Sequence, residues 1–122
     1  MQFYLSSYEL GENPERLASL FGANKRIAYI PNARDFVGAD PARKNERTRN
    51  DMAGLASLGL EPELLDLREY FGNTEGLIAK LDTLAGVWVS GGNTFVLRQT
   101  MRLSGFDTIF PRLLARSDFV YG

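Results

Sequence analysis

Val87-Trp88-Val89-Ser90-Gly91-Gly92-Asn93-Thr94-Phe95 reads as a buried strand that turns through two glycines directly into a helix. Valine and tryptophan are strand formers, and their unbroken apolar run is that of a strand covered on both faces. Two glycines permit a tight turn and leave backbone N–H groups uncovered. Asn93 or Thr94 then stands where a helix needs its cap, and the helix start adds unpaired donors and a partial positive charge. Such a turn can hold a carboxylate, a phosphate or a developing oxyanion. It is neither the G-x-G-x-x-G dinucleotide fingerprint nor a Walker loop, which disfavours nucleotide. By spacing alone, a compact βα connection with an ordinary cap is the commoner reading, because short glycine-rich βα turns are common.

Outward from this segment, short apolar runs alternate with longer amphipathic stretches, the pattern of βα units in a mostly parallel sheet. Strands are predicted over Gln2 to Tyr8, Arg26 to Ile30, more weakly Leu64 to Leu67, and Gly86 to Ser90. Phe119 to Gly122 opens a fifth. Helices are predicted from an Asn13 cap and Pro14 to Gly22, from Asp40-Pro41 to Gly59, and along the stripe Leu77, Ile78, Leu81 and Leu84. Two more run from Asn93 to Gly105 and from Asp107 through Leu114, the last tolerating Pro111 only near its first turn. The expected architecture is α/β, a mostly parallel sheet flanked by helices, in a single domain over residues 1–122.

Composition narrows the chemistry. Fourteen Lys and Arg against fifteen Asp and Glu leave a net charge of −1, which gives no electrostatic reason to expect nucleic acid or an anionic membrane as partner. Cysteine is absent, so thiolate catalysis and thiolate metal sites are excluded and a cytoplasmic setting is expected. Histidine is absent as well, which removes the usual base beside a serine nucleophile and the commonest metal ligand. The N-terminus lacks the pattern of a secretory signal, and no apolar run reaches the ~20 residues of a membrane span.

The block Gly91-Gly92-Asn93-Thr94-Phe95, the later Gly105-Phe106-Asp107, and an apolar strand ending in Gly122 together resemble peptidase family S51, the aspartyl dipeptidases or peptidase E. The likeness extends upstream to Ile27 to Ile30 with Pro31-Asn32-Ala33, and to Leu58-Gly59 before a strand ending in Asp66-Leu67. The resemblance implies a class I glutamine amidotransferase-like, flavodoxin-like three-layer sandwich, incomplete at the C-terminus. It further implies a serine-type hydrolase of short peptides, Asp-X dipeptides in the family. There the strand standing at Phe119 to Gly122 continues into a Gly-x-Ser-Ala-Gly nucleophile elbow, followed by the base histidine and its acidic partner. Catalytic residues are therefore expected beyond Gly122 and none within the chain, which alone is expected to be inactive. What carries over is the turn: Gly91 and Gly92 offering backbone donors to the oxyanion, with Asn93 and Thr94 shaping the substrate pocket. Ser90 stands where the family usually has glycine. No cofactor or metal is implied.

Other polar residues read more plainly. Ser6 and Ser7 have no base beside them and are expected to satisfy backbone groups at a strand end. Asp35 is either a contact for a substrate amine or, more commonly for a loop aspartate, a solvated turn residue. Arg43, Lys44, Arg47 and Arg49, interleaved with Asp40, Glu46 and Asp51, read as an exposed helix face, and Trp88 as core. Phe119 to Tyr121 is expected to form an uncovered sheet edge, open to a homo-oligomer or a complementing chain. The alternative to a peptidase is a non-catalytic truncated or split module that binds small carboxylates or a complementing chain at the Gly91-Gly92 turn. A cysteine-dependent amidotransferase on the same fold is disfavoured by the turn sequence.

Overall fold

The structure, a computed structural model, describes residues 1–122. Five parallel strands form one sheet: β1 (Gln2–Phe3), β2 (Arg26–Ile30), β3 (Glu61–Leu64), β4 (Gly86–Val89) and β5 (Val120–Tyr121), in the order β1-β5-β4-β2-β3. The helices are α1 (Pro14–Ser19), α2 (Pro41–Ser57), α3 (Thr74–Asp82), α4 (Thr94–Ser104) and α5 (Phe106–Leu114). None of them is long and apolar enough to cross a membrane.

Alternation along the strands divides the core in two. Ile27, Tyr29, Trp88 and Val120 face one side and pack with Leu17 and Phe21 and with Leu55 of α2. Ala28, Ile30, Val87 and Phe119 face the other, against Leu77 and Leu81 of α3 and Phe106, Ile109 and Leu113 of α5. Burial of both faces explains why β2 and β4 lack polar alternation, and the result is the expected three-layer α/β sandwich.

Several boundaries differ from the sequence reading. β1 pairs over two residues only, because its one neighbour is β5 and that ladder ends at Phe3–Tyr121. Beyond it, Tyr4 N–H still donates to Tyr121 O at 2.9 Å, and the chain then bends with the Ser6 hydroxyl donating to Glu9 O. β3 lies earlier than Leu64 to Leu67, because Glu61 to Leu64 is the stretch in register with Arg26 to Tyr29. Asp66 then accepts from Arg68 N and starts a 3-10 turn, Leu67–Tyr70. α1 is short, and Asn13 occupies its cap position without a side-chain bond. Pro111 is the sixth residue of α5 and not in its first turn, where its ring lies on the exposed outer face. The expectation of an open edge at Phe119 to Tyr121 is wrong: β5 is flanked by β1 and β4, and the free edges belong to β1 and β3.

Candidate functional site

In an open parallel sheet, ligands bind outside the carboxyl ends of strands where the winding reverses. Here β2 leads to β3 on one side while β4 and β5 add on the other, so the reversal lies between the ends of β2 and β4. The segments leaving those ends are Pro31 to Asp35 and Ser90 to Asn93.

The two segments are locked together. Ser90 N–H donates to Ile30 O at 3.0 Å and Asn93 N–H to Ala33 O at 2.7 Å. Gly92 has φ +154°, and a Cβ there would lie 2.6 Å from the Ala33 carbonyl oxygen, so only glycine allows this approach. Gly91, by contrast, faces open space. Both glycines are exposed, and neither of their N–H groups finds an acceptor within the protein. Asn93 Oδ1 accepts from Phe95 N and Val96 N, so that side-chain oxygen is committed to capping α4. Thr94 and Phe95 are exposed beside it, and Ser90 is buried with its hydroxyl unpartnered.

The exit of β5 lies at the same rim. Val89 N–H donates to Gly122 O at 2.8 Å, which brings Gly122 alongside the start of the turn. A Cβ on Gly122 would fall 2.5 Å from the Trp88 ring. Trp88, 5 % exposed and packed in the core, therefore forces glycine at the point where β5 ends. The carboxyl end of β5 thus lies at the rim that carries the glycine turn.

Two polar networks behind the turn were not legible as site residues in the sequence. In the first, Asn32, fully buried, donates from Nδ2 to Asp35 Oδ2 at 2.6 Å and Asp66 Oδ1 at 2.9 Å, and accepts from Leu67 N at 3.0 Å. Lys44 pairs with Asp35, and Arg68 with both Asp66 and Asp35. Asp35 is only 6 % exposed, so it is a clamp between loops and neither a solvated turn residue nor free for a substrate amine. Burial opposes ionisation of Asp66, but hydrogen bonds from Arg68 and Asn32 outweigh it and hold the carboxyl at about 2.

That depressed value makes the ionised carboxylate a stabilising group whose contribution is complete above about pH 4 and fades as pH falls through 2. Asp66→Asn is expected to cost roughly 1–2 kcal/mol at neutral pH and to flatten the acid limb of stability between pH 4 and 2. Urea unfolding across that range measures both effects. An unchanged acid limb would show that the carboxylate is not held by these donors.

In the second network the buried Tyr29 hydroxyl donates to Asp51 Oδ2 at 2.7 Å and accepts from Arg34 Nη1 at 3.2 Å. Burial, then the hydrogen bond to Asp51, pushes Tyr29 up to about 12. Arg47 Nε lies 3.2 Å from Asp51 Oδ1, though not aligned as a hydrogen bond, and Nη1 lies 3.5 Å from Glu9. The reading of α2 as an exposed charged face thus holds for Arg43 and Arg49 and fails for Lys44, Arg47 and Asp51, which turn inward. The signal was available, since Arg47 and Asp51 stand on the same helical stripe as buried Leu55.

Between the Arg34 to Asp40 loop and α2 lies an open cavity of about 600 Å³ that reaches Gly92. Its wall is largely polar, with Arg34, Arg43, Lys44 and Arg47 opposite Asp40 and Glu46.

A solved structure from Listeria monocytogenes EGD-e, of a protein provisionally named peptidase E, superposes with a TM-score of 0.60 at 25 % identity. The match covers 88 % of this chain and 52 % of that one, so the chain spans about half the length of its structural relative. No curated protein matches the sequence. The family model of peptidase family S51 matches residues 6–122, nearly the whole chain. With the parallel α/β sheet and this match in agreement, the chain belongs to peptidase family S51.

Proposed function

We propose that this chain forms the glycine-turn half of a serine-type peptidase acting on short peptides, with Asp-X dipeptides as its substrates. The observation that carries the reading is the pair of exposed, unpaired amides at Gly91 and Gly92, fixed at the rim where β5 exits. In this mechanism a serine on the elbow after Gly122 attacks the scissile carbonyl, and a histidine further along takes its proton and returns it to the leaving amine. The negative charge that develops on the carbonyl oxygen is met by the Gly91 and Gly92 N–H groups, which are already oriented and cost no reorganisation at the moment of reaction. Asn93 holds the amides in place through its cap, and Thr94 borders the pocket. The cysteine-free composition accords with a cytoplasmic setting.

A second reading, a non-catalytic module that binds small carboxylates, rests on the same exposed and unpaired amides. Hydrolysis of Asp-X dipeptides by the 122-residue chain, measured beside a version extended through the following in-frame strands, separates the two. The extended chain is expected to turn over and the short one not. Activity in the short chain overturns the placement of the catalytic groups, and an inert extended chain removes the peptidase in favour of the binding module.

A further inference from the structure

The cavity beside Gly92 holds a group that the hydrolytic chemistry leaves unused. Of its four cations, Lys44 is turned to Asp35, Arg47 to Asp51 and Glu9, and Arg43 sits exposed at the lip without an ion pair. Of its carboxylates, Asp40 is engaged in capping α2 through Ala42 N, and Glu46 is exposed. Arg34 differs from the rest. It directly follows Ala33, whose carbonyl oxygen both receives the Asn93 N–H and abuts Gly92, so its backbone is fixed to the glycine turn.

Its side chain, 18 % exposed, is held from one side only. Nη1 rests on the Tyr29 hydroxyl and lies 3.7 Å from Asp51, while Nε and Nη2 donate to no protein acceptor. Tyr29 is itself fully buried and anchored on Asp51. A guanidinium clamped at one nitrogen, with the rest of its planar fork unspent at a cavity wall, is pre-organised for a planar two-oxygen anion. Arg43, without an ion pair at the lip, adds attraction at longer range.

We infer that Arg34 is the specificity-determining residue that receives a carboxylate of the peptide substrate in this cavity while the scissile carbonyl lies over Gly91 and Gly92. The substrate class rests on the peptidase reading, but the binding itself requires no nucleophile. Either the C-terminal carboxylate of a dipeptide or the side chain of its aspartate supplies the same chemistry.

Isothermal titration of the 122-residue chain with Asp-Leu, Asp-leucinamide and Asn-Leu tests the assignment and tells the two sources apart. Asp-Leu is expected to bind the parent chain and to bind Arg34→Gln about 10- to 100-fold more weakly. Arg34→Lys, which keeps the charge and loses the fork, is expected to recover only part of that loss. Whichever neutralised peptide binds the parent poorly, and loses nothing further in Arg34→Gln, identifies the carboxylate that Arg34 holds. Circular dichroism confirms that the variants are folded, and Arg34→Lys carries the test should Arg34→Gln not fold. Failure of Asp-Leu to bind the parent chain, or equal affinity in parent and variants, overturns the inference. Hydrolysis by the extended chain that is indifferent to Arg34→Gln also overturns it while leaving the peptidase intact. Arg34-dependent binding with no hydrolysis in the extended chain upholds it and sinks the peptidase.

Discussion

Replacing Gly92 by alanine is expected to destabilise the fold by about 2–4 kcal/mol, whereas the same change at Gly91 stays within about 0.5 kcal/mol. The adjacent glycines serve different ends. At Gly92 the backbone has φ +154°, and the new methyl would meet the Ala33 carbonyl oxygen at 2.6 Å and its carbon at 2.9 Å. Both of those atoms are backbone, held by the Asn93 bond, so the clash cannot be relieved by a side-chain rotation. At Gly91 nothing lies within 4 Å, and the substitution adds only a methyl facing the proposed substrate. Urea unfolding of both variants gives the contrast directly. In the extended chain, Gly92→Ala is expected to lose hydrolysis along with stability, and Gly91→Ala to slow hydrolysis while the fold is unaffected. A Gly92→Ala protein as stable as the parent would mean that the β2 and β4 loops are not clamped as described.

Asn32→Ala is expected to cost about 3–5 kcal/mol, the largest single effect of a side-chain truncation at the rim. Asn32 lies fully buried and joins Asp35 of its own loop to Asp66 and the Leu67 amide of the loop after β3. Its Nδ2 stands between two carboxylates, so truncation leaves Arg68 as their one shared partner and strands the buried Leu67 N–H without an acceptor. The loss should show as a lowered unfolding midpoint and as faster amide exchange at Leu67. Wild-type stability in Asn32→Ala would place water or a shifted Arg68 in the role assigned to the amide.

The sequence disclosed the fold more fully than the site, for physical reasons. Burial on both faces writes an unbroken apolar run, and β2 and β4 were legible because Ile27 to Ile30 and Val87 to Val89 carry it. β1 and β3 were misplaced because an edge strand takes its length from its neighbour, which local composition does not encode. The glycine turn stood out because its backbone demands a residue type. Asn32, Asp51 and Arg34 did not, since a polar residue in a loop or on a helix looks the same whether it meets water or a partner distant in sequence. For Asp51 and Arg47, counting back by fours from Leu55 would have marked them as inward.

The pairing of Gln2 with Val120 has a bearing on how the protein is made. On a translating ribosome the opening residues emerge long before the ladder that must receive them, because β1 and β5 lie at opposite ends of the five-strand series. Until then β4 lacks its neighbour and the opening segment stays unpaired, although β2, β3 and β4 can already assemble. Sheet closure therefore waits for a contact between residues far apart in sequence, the kind of long-range closure that makes folding slow. Protection of the Tyr4 amide should accordingly be the latest in the sheet to develop during refolding.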